Sequence, residues 1–165
     1  MKTIVLLAVA GLVAVPAFAG TPCDDVKAKI EAVGFDSLRL QFEVNALGPL
    51  RVARALTENL GNGSKLGIIT SRMGSIADND SGGYYGYRAS KAAVNAIGKS
   101  LSIDLKPRGI GVFLLHPGYV ATDMVDGTGD ISPEVAAERL VGVLDRLELG
   151  QTGTFWHSNG SQLPW

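Results

Sequence analysis

Cysteine is almost missing: Cys23 stands alone in 165 residues. No internal disulfide can brace the fold, and a lone thiol neither supports nor excludes export. An excess of charge is missing too. Fifteen basic residues against sixteen acidic ones leave a net charge of −1, which gives no reason to expect nucleic acid or an anionic membrane surface as a partner. His116 and His157 lie far apart in sequence with no Cys, His or acid cluster around either, so no metal site is expected and each reads as a structural or surface side chain. Low-complexity segments and internal repeats are lacking. The apolar run from Ile4 to Val15 falls short of the ~20 residues a stable membrane span needs, and Pro16 ends it. What is present is a 46% hydrophobic, 19% charged chain, suited to one soluble globular domain with a real core.

The N-terminus supports two readings. Lys2, the apolar run and Ala17-Phe18-Ala19 before Gly20 form the pattern of a secretory signal peptide over residues 1–19. Alternatively, Ile4 to Val9 is the first strand of a nucleotide-binding sheet. The signal peptide is the favoured expectation. Residues 20–36 then give a short helical leader of unclear origin, with Val26, Ile30 and Val33 on one face and Gly34 as a stop.

From residue 37 the periodicity becomes regular. Residues 44–60 read as a helix with Leu47, Leu50, Val52, Ala55 and Leu56 apolar, and Asn45 at its start is a good cap. Gly61-Asn62-Gly63-Ser64 is a turn, residues 65–70 a short buried strand, and 71–86 a long polar, glycine-rich loop. A helix over 87–105 and an apolar run over 111–115 complete a strand–helix–strand unit, so the two strands should be parallel. That places Ser71 and Pro117-Gly118 at the same carboxyl edge, which the start of the intervening helix also reaches and where open α/β sheets bind ligands. Ser132-Pro133-Glu134 opens a further helix, with a capping Ser, Pro at the first position and an acid for the dipole. It should bury Val135, Leu140, Val143, Leu144 and Leu147 and end near Leu149. Residues 152–157 form a final strand.

Tyr87 and Lys91 stand four apart and share one face of the helix that they open. An ammonium beside a phenol favours the phenolate and is expected to lower the Tyr87 pKa from its usual ~10. Tyr87 becomes a candidate proton donor and acceptor. The bare spacing is also compatible with ordinary helix surface.

The surrounding motifs decide between these. Asn45-Ala46-Leu47-Gly48, Ile68-Ile69-Thr70-Ser71, Tyr87 to Lys91, and Pro117-Gly118-Tyr119-Val120-Ala121-Thr122 occur in this order and together resemble the C-terminal half of a short-chain dehydrogenase/reductase. Arg72-Met73-Gly74-Ser75-Ile76, Ser81-Gly82-Gly83 and the ending Leu163-Pro164-Trp165 are similar to the C-factor-like branch. The resemblance covers about residues 38–165. It implies an α/β fold, a partial Rossmann-type, doubly wound parallel sheet with flanking helices. It also implies an oxidoreductase that moves a hydride between NAD or NADP and a small-molecule carbonyl or alcohol. Asn45, Ser71, Tyr87 and Lys91 would be catalytic: Tyr87 as general acid or base, Lys91 holding down its pKa and touching the nicotinamide ribose. Ser71 would donate to the substrate oxygen, with Thr70 leaving open which hydroxyl points inward, and Asn45 would support a relay water. Tyr87, Lys91, Pro117, Gly118, Val120 and Thr122 would meet the nicotinamide end of the cofactor.

The departure from the family lies upstream. No Gly-x-x-x-Gly-x-Gly turn occurs before residue 60, so the N-terminal glycine-rich βαβ half that takes the pyrophosphate is lacking. The residue that selects NAD or NADP and the Asn-Asn-Ala-Gly strand are lacking with it. Residues 37–165 therefore read as a truncated domain. Without that neighbouring strand, and unless Ile4 to Val9 fills the gap, one edge of residues 65–70 should be open and prone to association. Two other readings stay open: a non-catalytic module that homodimerises through helices 44–60 and 87–105, and a decayed or fused gene product. The leader implies export, whereas the family resemblance implies the cytoplasm.

Overall fold

The computed structural model describes residues 4–7, 30 and 32–165. Among the described residues, four strands, β1 (Ile4–Leu7), β2 (Lys65–Ile69), β3 (Gly111–His116) and β4 (Phe155–His157), lie side by side in chain order. All three pairings are parallel. The expected parallel α/β sheet with flanking helices is what the chain forms.

The open edge is not. β1 pairs with β2 in the register Ile4↔Lys65 to Leu7↔Ile68, so the neighbour expected to be absent is supplied by the alternative strand reading of the N-terminus. A four-residue apolar segment cannot be told from the start of an apolar leader by pattern alone. Pairing with β2 satisfies backbone groups that would otherwise be orphaned beside a buried strand.

The helix expected from residue 44 starts earlier. α1 (Phe35–Phe42) runs into a π-helical turn (Glu43–Leu47), then α2 (Gly48–Leu56) and a short 3₁₀ turn (Thr57–Asn59). Gly34 is the N-cap of α1 and not a helix stop, and Asn45 is mid-helix and not a cap. The extra turns are held by a tertiary contact: Leu38 and Gln41 press on Gly86, where a Cβ would lie 2.8 Å from Leu38 Cδ1. Most of the leader expected over residues 20–36 lies outside the described residues.

α3 (Tyr85–Leu105) and α4 (Pro133–Arg146) complete the helical layers. Ser132 caps α4 as expected, its Oγ accepting from Val135 N–H at 3.3 Å. The other end, Arg146, comes earlier than expected, and Lys65 covers it by donating to the carbonyls of Leu144 and Asp145 at 2.9 and 2.7 Å. A cation on the last carbonyls satisfies orphan acceptors and the helix dipole together.

β3 is the centre of the molecule. Val112 and Leu114 face one layer with Val94 of α3 and Ala53 of α2. Phe113 and Leu115 face the other with Leu140, Val143 and Leu144 of α4. Burial of each of the Val, Leu and Phe side chains among these contributes roughly 1.5–3 kcal/mol. The strands advance the same way across the sheet, yet the third crossover covers the opposite face from the first two. It therefore has the opposite hand, against the usual uniform right-handedness. The long connection 117–132 carries the chain across, and in doing so it passes over the carboxyl edge of the sheet.

Candidate active site

That edge gathers most of the residues singled out above. α3 begins at Tyr85, preceded by Gly82, Gly83 and Tyr84, all with positive φ. The glycines adopt this region freely, whereas Tyr84 (φ 48°) does so at a cost. The sharp entry puts Tyr87 in the first turn of α3 with Lys91 one turn on, and the Lys91 ammonium lies 5.7 Å from the Tyr87 ring centroid.

Ser71 follows β2 and starts a 3₁₀ turn (Arg72–Gly74), its Oγ accepting from Met73 N–H at 3.2 Å. Its hydroxyl proton is thereby free to turn towards the Tyr87 phenol. Thr70 turns the other way, its Oγ1 reaching the Lys91 carbonyl at 3.4 Å. Of the two hydroxyls, Ser71's is the one beside the Tyr87 phenol. Gly74 packs directly on Lys91, so close that a Cβ there would lie 2.7 Å from the Lys91 carbonyl carbon. The loop beyond is braced by the Arg72–Asp78 ion pair, by Arg88 donating to Ser81 Oγ at 2.8 Å and by Ala77 N–H donating to the Trp165 carbonyl at 2.8 Å.

Asn45 approaches from the π turn, a helix defect common at functional sites. Its Nδ2 donates to Ser90 Oγ at 3.1 Å, and Ser90 in turn donates to the Tyr87 carbonyl at 2.8 Å. Asn45 Oδ1 is buried with no partner, an acceptor that a bound group or water would satisfy. Ser90, one residue before Lys91, was not singled out from sequence.

The electrostatics correct one expectation. Burial pushes the Tyr87 phenol up, and its interaction with Ser71 pulls it back only in part. Burial outweighs the neighbouring ammonium of Lys91, 5.7 Å from the ring centroid, which is itself depressed to about 8 by burial. Both groups are withdrawn from water, and withdrawal favours the neutral form of each.

Pro117 and Gly118 lie just past β3, with Gly118 at φ 99°. Val120 is bridged to Ile131, and Thr122 caps the short turn Asp123–Val125. All four sit on the connection over the sheet edge, beside the catalytic candidates in topology. His116 and His157, distant in sequence, are register partners on β3 and β4 and meet edge to face at 4.8 Å. His116 is held at about 4, mainly by burial, and its Nδ1 is a buried atom without a partner. Strand register alone brings the two together, and the sequence carries no local signal of it.

A parallel α/β sheet with a Ser, Tyr and Lys at its carboxyl edge defines a class of nucleotide-dependent oxidoreductases. A family model described as enoyl-(acyl carrier protein) reductase matches residues 7–155. The chain is 46% identical over 141 residues to 1-hydroxy-2-glutathionyl-2-methyl-3-butene dehydrogenase of Rhodococcus sp. (strain AD45), covering 83% of this chain and 62% of that protein. It is 40% identical over 135 residues to C-signal of Myxococcus xanthus, covering 81% of each. Among solved structures, the carbonyl reductase Sniffer of D. melanogaster superposes with a TM-score of 0.83 at 30% identity, over 98% of this chain and 66% of that one. The chain belongs to the short-chain dehydrogenase/reductase family, whose members use NAD or NADP. It spans a little under two thirds of the length of the dehydrogenase and of the carbonyl reductase it resembles.

Proposed function

We propose that this chain carries the catalytic part of an NAD(P)-dependent reductase that interconverts a small-molecule carbonyl and its alcohol. The observation that supports it most is the convergence of Ser71, Tyr87, Lys91 and Asn45, drawn from three separate segments, at one edge of the sheet. In the reducing direction the product oxygen gains negative charge and needs a proton. The Tyr87 phenol, kept protonated at neutral pH by burial, donates it. The Ser71 hydroxyl donates a hydrogen bond to the same oxygen and favours its developing charge. Lys91, below its titration midpoint at pH 7, retains an ammonium near the phenol that offsets the charge Tyr87 acquires. Asn45 Oδ1 offers the unsatisfied acceptor through which a water could return the proton.

A nicotinamide dinucleotide would supply the hydride when bound, as NADP is bound in a short-chain dehydrogenase/reductase structure from Burkholderia multivorans 30% identical to this chain. The residues present fit the nicotinamide end: Tyr87 and Lys91 on the ribose side, Pro117, Gly118, Val120 and Thr122 on the ring side. They do not fit the pyrophosphate, since no Gly-x-x-x-Gly-x-Gly turn occurs in the sequence. Catalysis would then need the missing contacts from elsewhere. Fluorescence titration with NADH and NADPH tests this, and absence of binding below millimolar concentration refutes independent catalysis. Where activity is found, Tyr87→Phe should abolish it with the fold unchanged, and an active Tyr87→Phe chain refutes the mechanism.

A specific observation supports homodimerisation as a second reading. Leu50 of α2 and Ala96, Ile97, Ser100, Leu101 and Asp104 of α3 line an open groove of about 310 Å³, a mainly apolar face that two copies would cover across a two-fold axis. Sedimentation at micromolar concentration decides it, a clean monomer counting against. The N-terminus bears on both readings. An intact Met1 retains β1 in the sheet, whereas cleavage after Ala19 would remove β1 and expose β2. Mass spectrometry of the mature chain distinguishes the two.

A further inference from the structure

Asn95 lies on α3 one turn beyond Lys91 and is almost wholly buried, at 3% exposure. Its Nδ2 donates to the Gly74 carbonyl at 3.3 Å, while its Oδ1 is buried without a partner. The amide cannot be turned round, because Oδ1 would then face the Gly74 carbonyl oxygen. An apolar side chain of similar volume would avoid the unsatisfied Oδ1 but would leave the buried Gly74 carbonyl without its donor. The bond to Gly74 accounts for it better.

Gly74 is the far end of the turn that carries Ser71. Gly74 N–H donates to the Ser71 carbonyl at 2.8 Å, and Met73 N–H donates to Ser71 Oγ at 3.2 Å. Ser71 to Gly74 is thus one hydrogen-bonded unit, and what holds Gly74 also aims Ser71. We propose that Asn95 is a positioning residue, pinning the Ser71 turn onto the Tyr87 helix and so setting where the Ser71 hydroxyl stands relative to the Tyr87 phenol. This rests on the reading of Ser71 and Tyr87 as partners in the proton-transfer site. Gly74 gives the turn its close seat on Lys91, and Asn95 gives it a polar anchor one helical turn further on. The effect of Asn95 passes through Ser71.

The test reads the Tyr87 hydroxyl and needs no turnover, so a chain without reductase activity can still show it. Tyrosine-labelled full-length chain is titrated by NMR, with the Tyr87 signal assigned through Tyr87→Phe. Ser71→Ala should raise the Tyr87 midpoint. Asn95→Leu, which matches the volume and removes the donor, should raise it in the same direction, and the double variant should add nothing further. An unmoved Tyr87 midpoint in folded Asn95→Leu, or shifts that add in the double variant, overturns the proposal. If Asn95→Leu does not fold, the unaltered chain decides: the Asn95 side-chain amide protons should exchange slowly, and exchange at the rate of a free amide overturns the proposal.

Discussion

Gly74→Ala is the most direct probe of how the site is assembled. Gly74 has an ordinary negative-φ backbone, so alanine is allowed by conformation. Elsewhere such a change stabilises by about 0.4–1 kcal/mol through the unfolded state. Here the added Cβ would meet the Lys91 carbonyl carbon at 2.7 Å, its oxygen at 2.8 Å and its Cβ at 2.9 Å. Two of those atoms are helix backbone, which cannot rotate away. The turn must retreat until the contact opens to about 3.4 Å, carrying Ser71 with it. Overpacking of this kind costs roughly 1–3 kcal/mol, which for a small domain moves a urea midpoint down by about 1 M. Gly61→Ala is the control, since nothing lies within 4 Å of its Cβ position, and it should be neutral or mildly stabilising. Urea unfolding of the three chains, followed by tryptophan fluorescence, gives the comparison. A Gly74→Ala chain as stable as the unaltered one would show that the turn does not seat on α3 as described.

Lowering the pH should unfold the chain through His116. Its midpoint is about 4 in the fold against ~6.5 when unfolded, so the unfolded state binds more protons between these values. Stability should fall by about 3 kcal/mol as pH drops from 6.5 to 4, with His157, Arg72 and Lys91 acting in the same sense and Asp78 against it. His116→Gln should flatten that part of a denaturation-versus-pH curve, and an unchanged slope refutes the assignment. Lys91 gives the mirror test: its midpoint is about 8 in the fold against ~10.4 unfolded, so its burial penalty is full below pH 8 and fades as pH rises through that window. Lys91→Met should therefore be the more stable chain at pH 7, by up to about 3 kcal/mol, with the gap closing towards pH 10.5 and any reductase activity lost. Ser132→Ala removes the cap of α4 and should cost ~1 kcal/mol in thermal or urea unfolding at neutral pH; no change would mean that Pro133 sets the helix start unaided.

Local pattern determined much of this protein. The period of residues 87–105 and the Ser-Pro-Glu start at 132 specify helices because their signals lie within one or two turns of chain. The strand–helix–strand spacing between residues 65 and 115 specifies parallel pairing, because a parallel crossover needs about that much chain. Ser71, Tyr87 and Lys91 were legible for the same reason: topology sends the end of one strand and the start of the next helix to the same edge. Contacts between distant segments were decided only by tertiary structure. Ile4–Leu7 is a strand because β2 offers it an unpaired backbone, although its sequence also suits an exported leader. The helix before Asn45 extends back to Phe35 because Leu38 and Gln41 find Gly86. His116 and His157 meet because β3 and β4 are in register. The Tyr87 and Lys91 pKa values follow burial more than spacing, since the desolvation of each group is set by what the whole fold packs around it.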